Sequence, residues 1–153
     1  MRMGLKKTSP SGQAIGKSRG GNTTKIHLVC EKAGKPVHFH LSGGNVHDCT
    51  MAEHLLNGVD TSKTERVLGD KGYDTDAIRE KITDLRAEAV IPFKRNRKKP
   101  GKLRKRIYRK RHRVENVFCS LKRFRSVATR YEKLVLHYAG IVAMACMLLW
   151  LKN

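Results

Sequence analysis

Apolar and polar residues alternate in two stretches near the start of the chain, and the alternation gives way to helical spacing further on. Thr23 to Cys30 (Thr-Thr-Lys-Ile-His-Leu-Val-Cys) has the composition of a strand, and Lys35 to Ser42 (Lys-Pro-Val-His-Phe-His-Leu-Ser) alternates at period two. Glu-Lys-Ala-Gly between them predicts a hairpin turn. From Asp48 to Gly58, Met51, Ala52, Leu55 and Leu56 recur at helical spacing. A short strand is expected at Glu65 to Gly69, then a helix capped by Asp74 or Thr75, with Ala77, Ile78, Ile82 and Leu85 as its apolar stripe. Ala87 to Phe93 predicts a further strand, stopped by Pro92, and a long helix should run from Lys105 to Phe124. Leu134 to Leu151 is almost wholly apolar and predicts a core helix; His137 and Tyr138 interrupt it, which argues against a membrane span. Strands joined through helices imply an α/β fold, a mixed sheet covered by helices.

Residues 1–22 are rich in Gly, Ser, Lys and Thr without apolar periodicity, and are expected to be a leader or connection ahead of a domain over 23–153. No apolar stretch of signal-peptide length opens the chain, so the expected location is cytoplasmic. Cys30, Cys49, Cys119 and Cys146 contain no C-x-x-C pair and are expected as free, mostly buried thiols. His38 and His40, two apart on a strand, share one face, a structural placement rather than a metal pair.

Charge changes the picture most. Thirty-three Lys and Arg against thirteen Asp and Glu leave the 153-residue chain at +20, with 39% apolar residues, enough for a core. Such an excess calls for a polyanion, and nucleic acid is the leading candidate. Residues 94–113 hold thirteen of the cations, broken by Pro100-Gly101, and would form one cationic wall that binds phosphates.

Inside that basic stretch, Tyr108, Arg111, Glu115 and Lys122 stand as Y-x2-R-x3-E-x6-K. At 100° per residue they fall within an arc of about 60° on one helix face, beside a packing face of Ile107, Val114, Val117, Phe118, Leu121 and Phe124. An acid opposing a phosphate weakens binding unless divalent cations lie between them, the arrangement that two-metal phosphoryl transfer uses. Asp70, just after a short apolar strand and before Gly72, is the second candidate ligand. Two alternatives stand beside these: Glu115 as an intrahelical partner of Arg111, and Asp74 as an equal of Asp70.

Val67-Leu68-Gly69-Asp70-Lys71-Gly72-Tyr73-Asp74, Ile91-Pro92-Phe93-Lys94-Arg95-Asn96-Arg97 and Tyr108 through Lys122 resemble the DDE transposases of bacterial insertion sequences, in the group named after the fourth and fifth such elements. Gly16 to His27 and Leu41 to Asp48 are similar to that group as well, so the likeness runs from about residue 16 to the end. The resemblance implies an RNase H-like fold and metal-dependent DNA strand cleavage and strand transfer at transposon ends. It makes Asp70 the second and Glu115 the third catalytic acid, jointly holding Mg²⁺ or Mn²⁺. It also implies that Tyr108, Arg111 and Lys122 position the DNA, with backbone contacts from Lys94, Arg95, Arg97, Arg104 and Lys105. The first catalytic Asp of such enzymes lies upstream of the Gly-rich segment, and residues 1–22 contain neither Asp nor Glu. The expectation is therefore an incomplete fold lacking its first strand, from a truncated element or a second reading frame, inactive alone. It would work with an upstream transposase half, as a homo-oligomer when complete, and without membrane association. A non-enzymatic basic nucleic-acid-binding protein is the rival reading.

Overall fold

A computed structural model describes residues 10–151. Three strands form an antiparallel sheet: β1 (Gly16–Ser18), β2 (Gly21–Cys30) and β3 (Pro36–Gly43), in the order β1-β2-β3. In its register Ile26 lies opposite Leu41, His27 opposite His40 and Leu28 opposite Phe39. The hairpin turn closes where expected, with the Gly34 N–H donating to the Glu31 carbonyl at 2.9 Å; Gly34 has φ +93°, a conformation glycine adopts without strain.

Period-two alternation gives this sheet two different faces. Ile26, Leu28, Cys30, Phe39 and Leu41 pack on one side against Val117, Leu121, Val127, Tyr138, Val142, Ala145 and Cys146. These come from α4 (His112–Leu121), α5 (Arg125–Ala128) and α6 (Val135–Leu151). The opposite face is polar: buried His27 meets the Ser42 hydroxyl at 2.7 Å, and Lys25 donates to Asp48 at 3.0 Å. His40 stacks on His54 of α1 (Ala52–Asn57), ring centroids 5.4 Å apart. The histidines thus join β3 to α1, the structural role expected of His38 and His40.

A second sheet holds β4 (Arg66–Leu68) parallel to β5 (Glu88–Val90), connected through α2 (Asp76–Asp84). Thr75, not Asp74, caps α2 by accepting from the Ile78 N–H at 3.3 Å. Ile78 and Ile82 are buried with Ala52 and Ile91 in a separate small core, whereas Ala77 faces outward. The helix closes on Arg86, whose φ of +57° lets its N–H reach the Thr83 carbonyl at 2.8 Å.

Three expectations are corrected. The single mixed sheet is two sheets: β4 and β5 have only three residues each, and no ladder joins them to the antiparallel sheet among the described residues. Residues 10–22 are not a leader outside the fold. They form a 3-10 turn (Pro10–Gln13) and then β1, which pairs with Gly21–Thr23; residues 1–9 lie outside the described residues. This segment lacks apolar periodicity because close backbone approach, not a buried face, holds it: a side chain at Gly44 would collide with Thr23 Oγ1, and one at Gly16 with Asn45. Arg130 anchors the same segment, donating to the Gln13 carbonyl at 2.9 Å and to Thr24 Oγ1 at 2.7 Å. Lastly, the long helix is α3 (Lys105–Tyr108), a 3-10 turn (Arg109–Arg111) and α4 in succession, ending at Leu121 rather than Phe124. Phe124 is already extended and starts the next turn.

All four cysteines are free, as expected, but Cys119 is exposed and only Cys146 is fully buried. Burial pushes the Cys30 thiol up to about 12, so it stays protonated beside Cys146. No helix among the described residues is long and apolar enough to cross a membrane.

Candidate functional site

Asp70 follows the end of β4 by two residues and caps a short 3-10 turn, Lys71–Tyr73. Its Oδ1 accepts from the Gly72 N–H at 2.7 Å, and a side chain at position 72 would stand 2.9 Å from that oxygen. Gly72 therefore leaves room for the carboxylate; its φ is not left-handed. Tyr73 packs beneath. Burial, reinforced by the charges of Asp48 and Asp70, pushes its hydroxyl up to about 12. Asp48, which spacing alone did not single out, thus shares the surroundings of Asp70, with Lys25 as its ion-pair partner at 3.0 Å.

Asp74 has a different environment from Asp70, which separates the two acids that looked alike. Its carboxylate is buried and accepts from Arg79 Nε at 2.8 Å and from the Lys94 N–H at 2.6 Å, with Arg97 3.6 Å away. Burial alone would raise its pKa; the Lys94 and Arg79 hydrogen bonds and the Arg79 and Arg97 charges outweigh this and hold the carboxyl below its ordinary value. Arg79 in turn donates to the Ile91 carbonyl at 2.8 Å and lies over the Phe93 ring at 4.3 Å. Asp74 is a clamp between α2 and the segment after β5, with no lone pair turned to solvent.

The polar stripe on the basic helix forms as the spacing requires. The Arg111 guanidinium lies 5.7 Å from the centre of the Tyr108 ring and is ion-paired with Glu115, and Lys122 caps the end of α4. Of the alternatives for Glu115, the intrahelical one is occupied: Arg111 is its partner. Val117 and Leu121 lock the same helix into the core, and Arg113 reaches the Lys32 carbonyl at the hairpin turn.

The cations proposed for DNA contact differ in availability. Arg95 and Lys105 are exposed and Lys94 is half-buried. Arg104 is paired with Glu88 at 3.0 Å but keeps 60% of its side-chain exposure. Arg97 retains 19%, held by Asp74 and Asp76, and so it supports the segment rather than offering a free charge.

Asp70 and Glu115 come from different cores, and neither is the other's partner in this structure: one accepts from Gly72, the other holds Arg111. Among the described residues no group of three or more His, Cys, Asp or Glu side chains is assembled to hold a metal ion. Mg²⁺ is typically held through one or two protein carboxylates, its shell completed by waters and substrate phosphates, so the chemistry of Asp70 and Glu115 fits such an ion although no assembled site is present among the described residues.

The chain matches the family model described as a transposase DDE domain over residues 4–150, and it belongs to that family. It is 35% identical, over 131 residues, to a Brucella ovis protein assigned as transposase for insertion sequence element IS6501; the match covers 85% of this chain and 99% of that protein. It is also 28% identical to a Burkholderia cepacia protein assigned as transposase for insertion sequence element IS402, across 97% of this chain and 71% of that protein. No solved structure matches the chain.

Proposed function

We propose that this protein acts in insertion-sequence transposition, binding the DNA of transposon ends. Its Asp70 and Glu115 supply two of the acidic ligands of a divalent cation, Mg²⁺ or Mn²⁺, in an RNase H-like catalytic domain. The observation that carries the reading is family membership over nearly the whole chain, together with the contacts that join Tyr108, Arg111 and Glu115 across α3, the 3-10 turn and α4. When bound, such a cation would activate the attacking oxygen and stabilise the leaving one. The chain's own residues position DNA: Tyr108, Arg111 and Lys122 beside the acids, and Lys94, Arg95, Arg104 and Lys105 along the backbone. Glu115, paired here with Arg111, would be a residue that holds the cation, and the Arg111 guanidinium would contact a phosphate.

On this reading a further carboxylate completes the site, contributed by a transposase half that acts together with this chain. The isolated chain then binds DNA without cutting it. A Mg²⁺-dependent nicking assay on supercoiled DNA tests this: no nicking is expected, and robust nicking abolished by Asp70→Ala overturns the incompleteness. The non-enzymatic alternative has the intact Arg111 to Glu115 pair in its favour. It differs in its response to Asp70→Asn and Glu115→Gln, which would leave Mn²⁺ binding unchanged in a simple DNA-binding protein and weaken it in a transposase.

A further inference from the structure

α6 buries Tyr138, Val142, Ala145 and Cys146 in the larger core and leaves its other side open to solvent. On that side Leu136, Met144, Met147, Leu148, Trp150 and Leu151 keep between 43% and 79% of their surface. Together they present on the order of 700 Å² of apolar surface, above the roughly 300–600 Å² of the largest patch on a typical monomer and near the roughly 800 Å² that each partner gives to a stable interface. Positions 136, 140, 143, 147 and 150 are spaced alternately four and three residues apart, the repeat by which one helix lies along another.

Charge and one glycine point to what covers this face. From Val135 to Leu151 the sequence has no Asp, Glu, Lys or Arg. Copies of a chain at +20 repel over most of their surface, so a neutral face is where two of them can meet without setting cation against cation. A DNA backbone gains nothing there, because the face offers no cation to a phosphate. Gly140 lies within the same face. Glycine inside a helix is less stable than alanine, and the fold itself gives no reason for it: a side chain at position 140 would meet nothing within 4 Å among the described residues. Gly140 is a notch that its own molecule leaves unfilled.

We propose that two copies of this chain pair through α6, antiparallel about a twofold axis between Ala143 and Met144. Positions 140 and 147 are equidistant from that axis, as are 136 and 151. Met147 of each copy therefore enters the notch at Gly140 of the other, and Leu136 of each lies against Leu151 of the other. A large residue meets a missing side chain twice over, which makes the surface complementary to itself, as a twofold interface requires. A parallel pair would instead set Gly140 against Gly140 and leave both notches empty. The pairing goes beyond the DNA-binding reading and does not depend on it.

Sedimentation velocity of the full chain, freed of nucleic acid by nuclease and high salt, tests this, and a concentration-dependent dimer is expected. Gly140→Met fills the notch at a helix position where the monomer has room. It should raise the dimer dissociation constant about tenfold or more while helix content by circular dichroism is kept. Orientation is read by oxidative crosslinking in a Cys119→Ser background, which removes the exposed native thiol. Ala143→Cys, beside the axis, should give a covalent dimer; Leu136→Cys should not, since antiparallel helices hold the two copies of that position about 22 Å apart along the axis at 1.5 Å per residue. The sedimentation result on the unaltered chain stands whether or not a variant folds. A monomer at every concentration, an open-ended aggregate, a dimer indifferent to Gly140→Met, or crosslinking through position 136 and not 143 overturns the proposal.

Discussion

Two halves of the molecule are held together by different means. The antiparallel sheet is pinned to α4 and α6 by a continuous apolar core in which Leu121 is 1% and Val142 0% exposed. The β4, α2, β5 half buries four core residues and relies beside them on a buried carboxylate clamped by two arginines and a backbone N–H. Each half contributes one candidate acid, Glu115 from the first and Asp70 from the second. The distance between the two acids is therefore a property of how the halves meet, through α1 and the turns around Asp48 and Tyr73, and of neither half alone. A site assembled in this way can be well formed on each side and still incomplete across the join.

The sharpest way to break that contrast is Asp74→Ala, which strands Arg79 beside an empty pocket and should cost about 3–5 kcal/mol in urea unfolding. Leu121→Ala strikes the other half, with an expected loss of about 2–5 kcal/mol from lost burial and the cavity left behind. The two variants separate under acid. Because the folded Asp74 carboxyl lies below its ordinary value, its stabilisation is full above the unfolded pKa, near 4, and is lost as pH falls through the depressed folded value. Asp74→Asn should flatten unfolding in that acid range, whereas Leu121→Ala should shift the stability curve down without changing its shape; equal acid profiles would refute the clamp. Thr75→Ala, which removes only the α2 cap, should cost about 1 kcal/mol in thermal melts.

On the functional side, log affinity for duplex DNA should fall linearly with log salt, at about −0.9 per phosphate neutralised. Lys105→Ala should reduce that slope by about one phosphate, whereas Arg97→Ala should act mainly on stability, since its charge is already matched by Asp74 and Asp76. A slope change for Arg97→Ala as large as that for Lys105→Ala would contradict the assignment.

What could be read in advance follows from which interactions leave a periodic trace. The hairpin and α2 bury one face or stripe, marked in advance by residues such as Phe39 and Ile82, whereas α6 was marked only by its unbroken apolar run, which does not say that Val142 faces the core and Leu136 does not. The Tyr108, Arg111 and Glu115 alignment followed from helical spacing, which also offered Arg111, four residues before, as the partner of Glu115. Asp70 and Asp74 were indistinguishable in sequence, because Arg79, Arg97 and the Lys94 N–H reach Asp74 from five to over twenty residues away. The folding of residues 10–22 was hidden for a related reason: it depends on Arg130, far along the chain, and on glycine backbones in near contact. The split of the expected sheet into two was equally illegible, since strand composition does not specify which edges pair.

Iron-directed cleavage tests most directly whether the two halves share one cation. Fe²⁺ bound in place of Mg²⁺, with ascorbate and peroxide, cuts the backbone within reach of the ion. Fragments ending near both Asp70 and Glu115, lost together in Asp70→Asn or Glu115→Gln, are the expected result. Cuts near only one of them, or two sets that respond independently to the two substitutions, would contradict a common site.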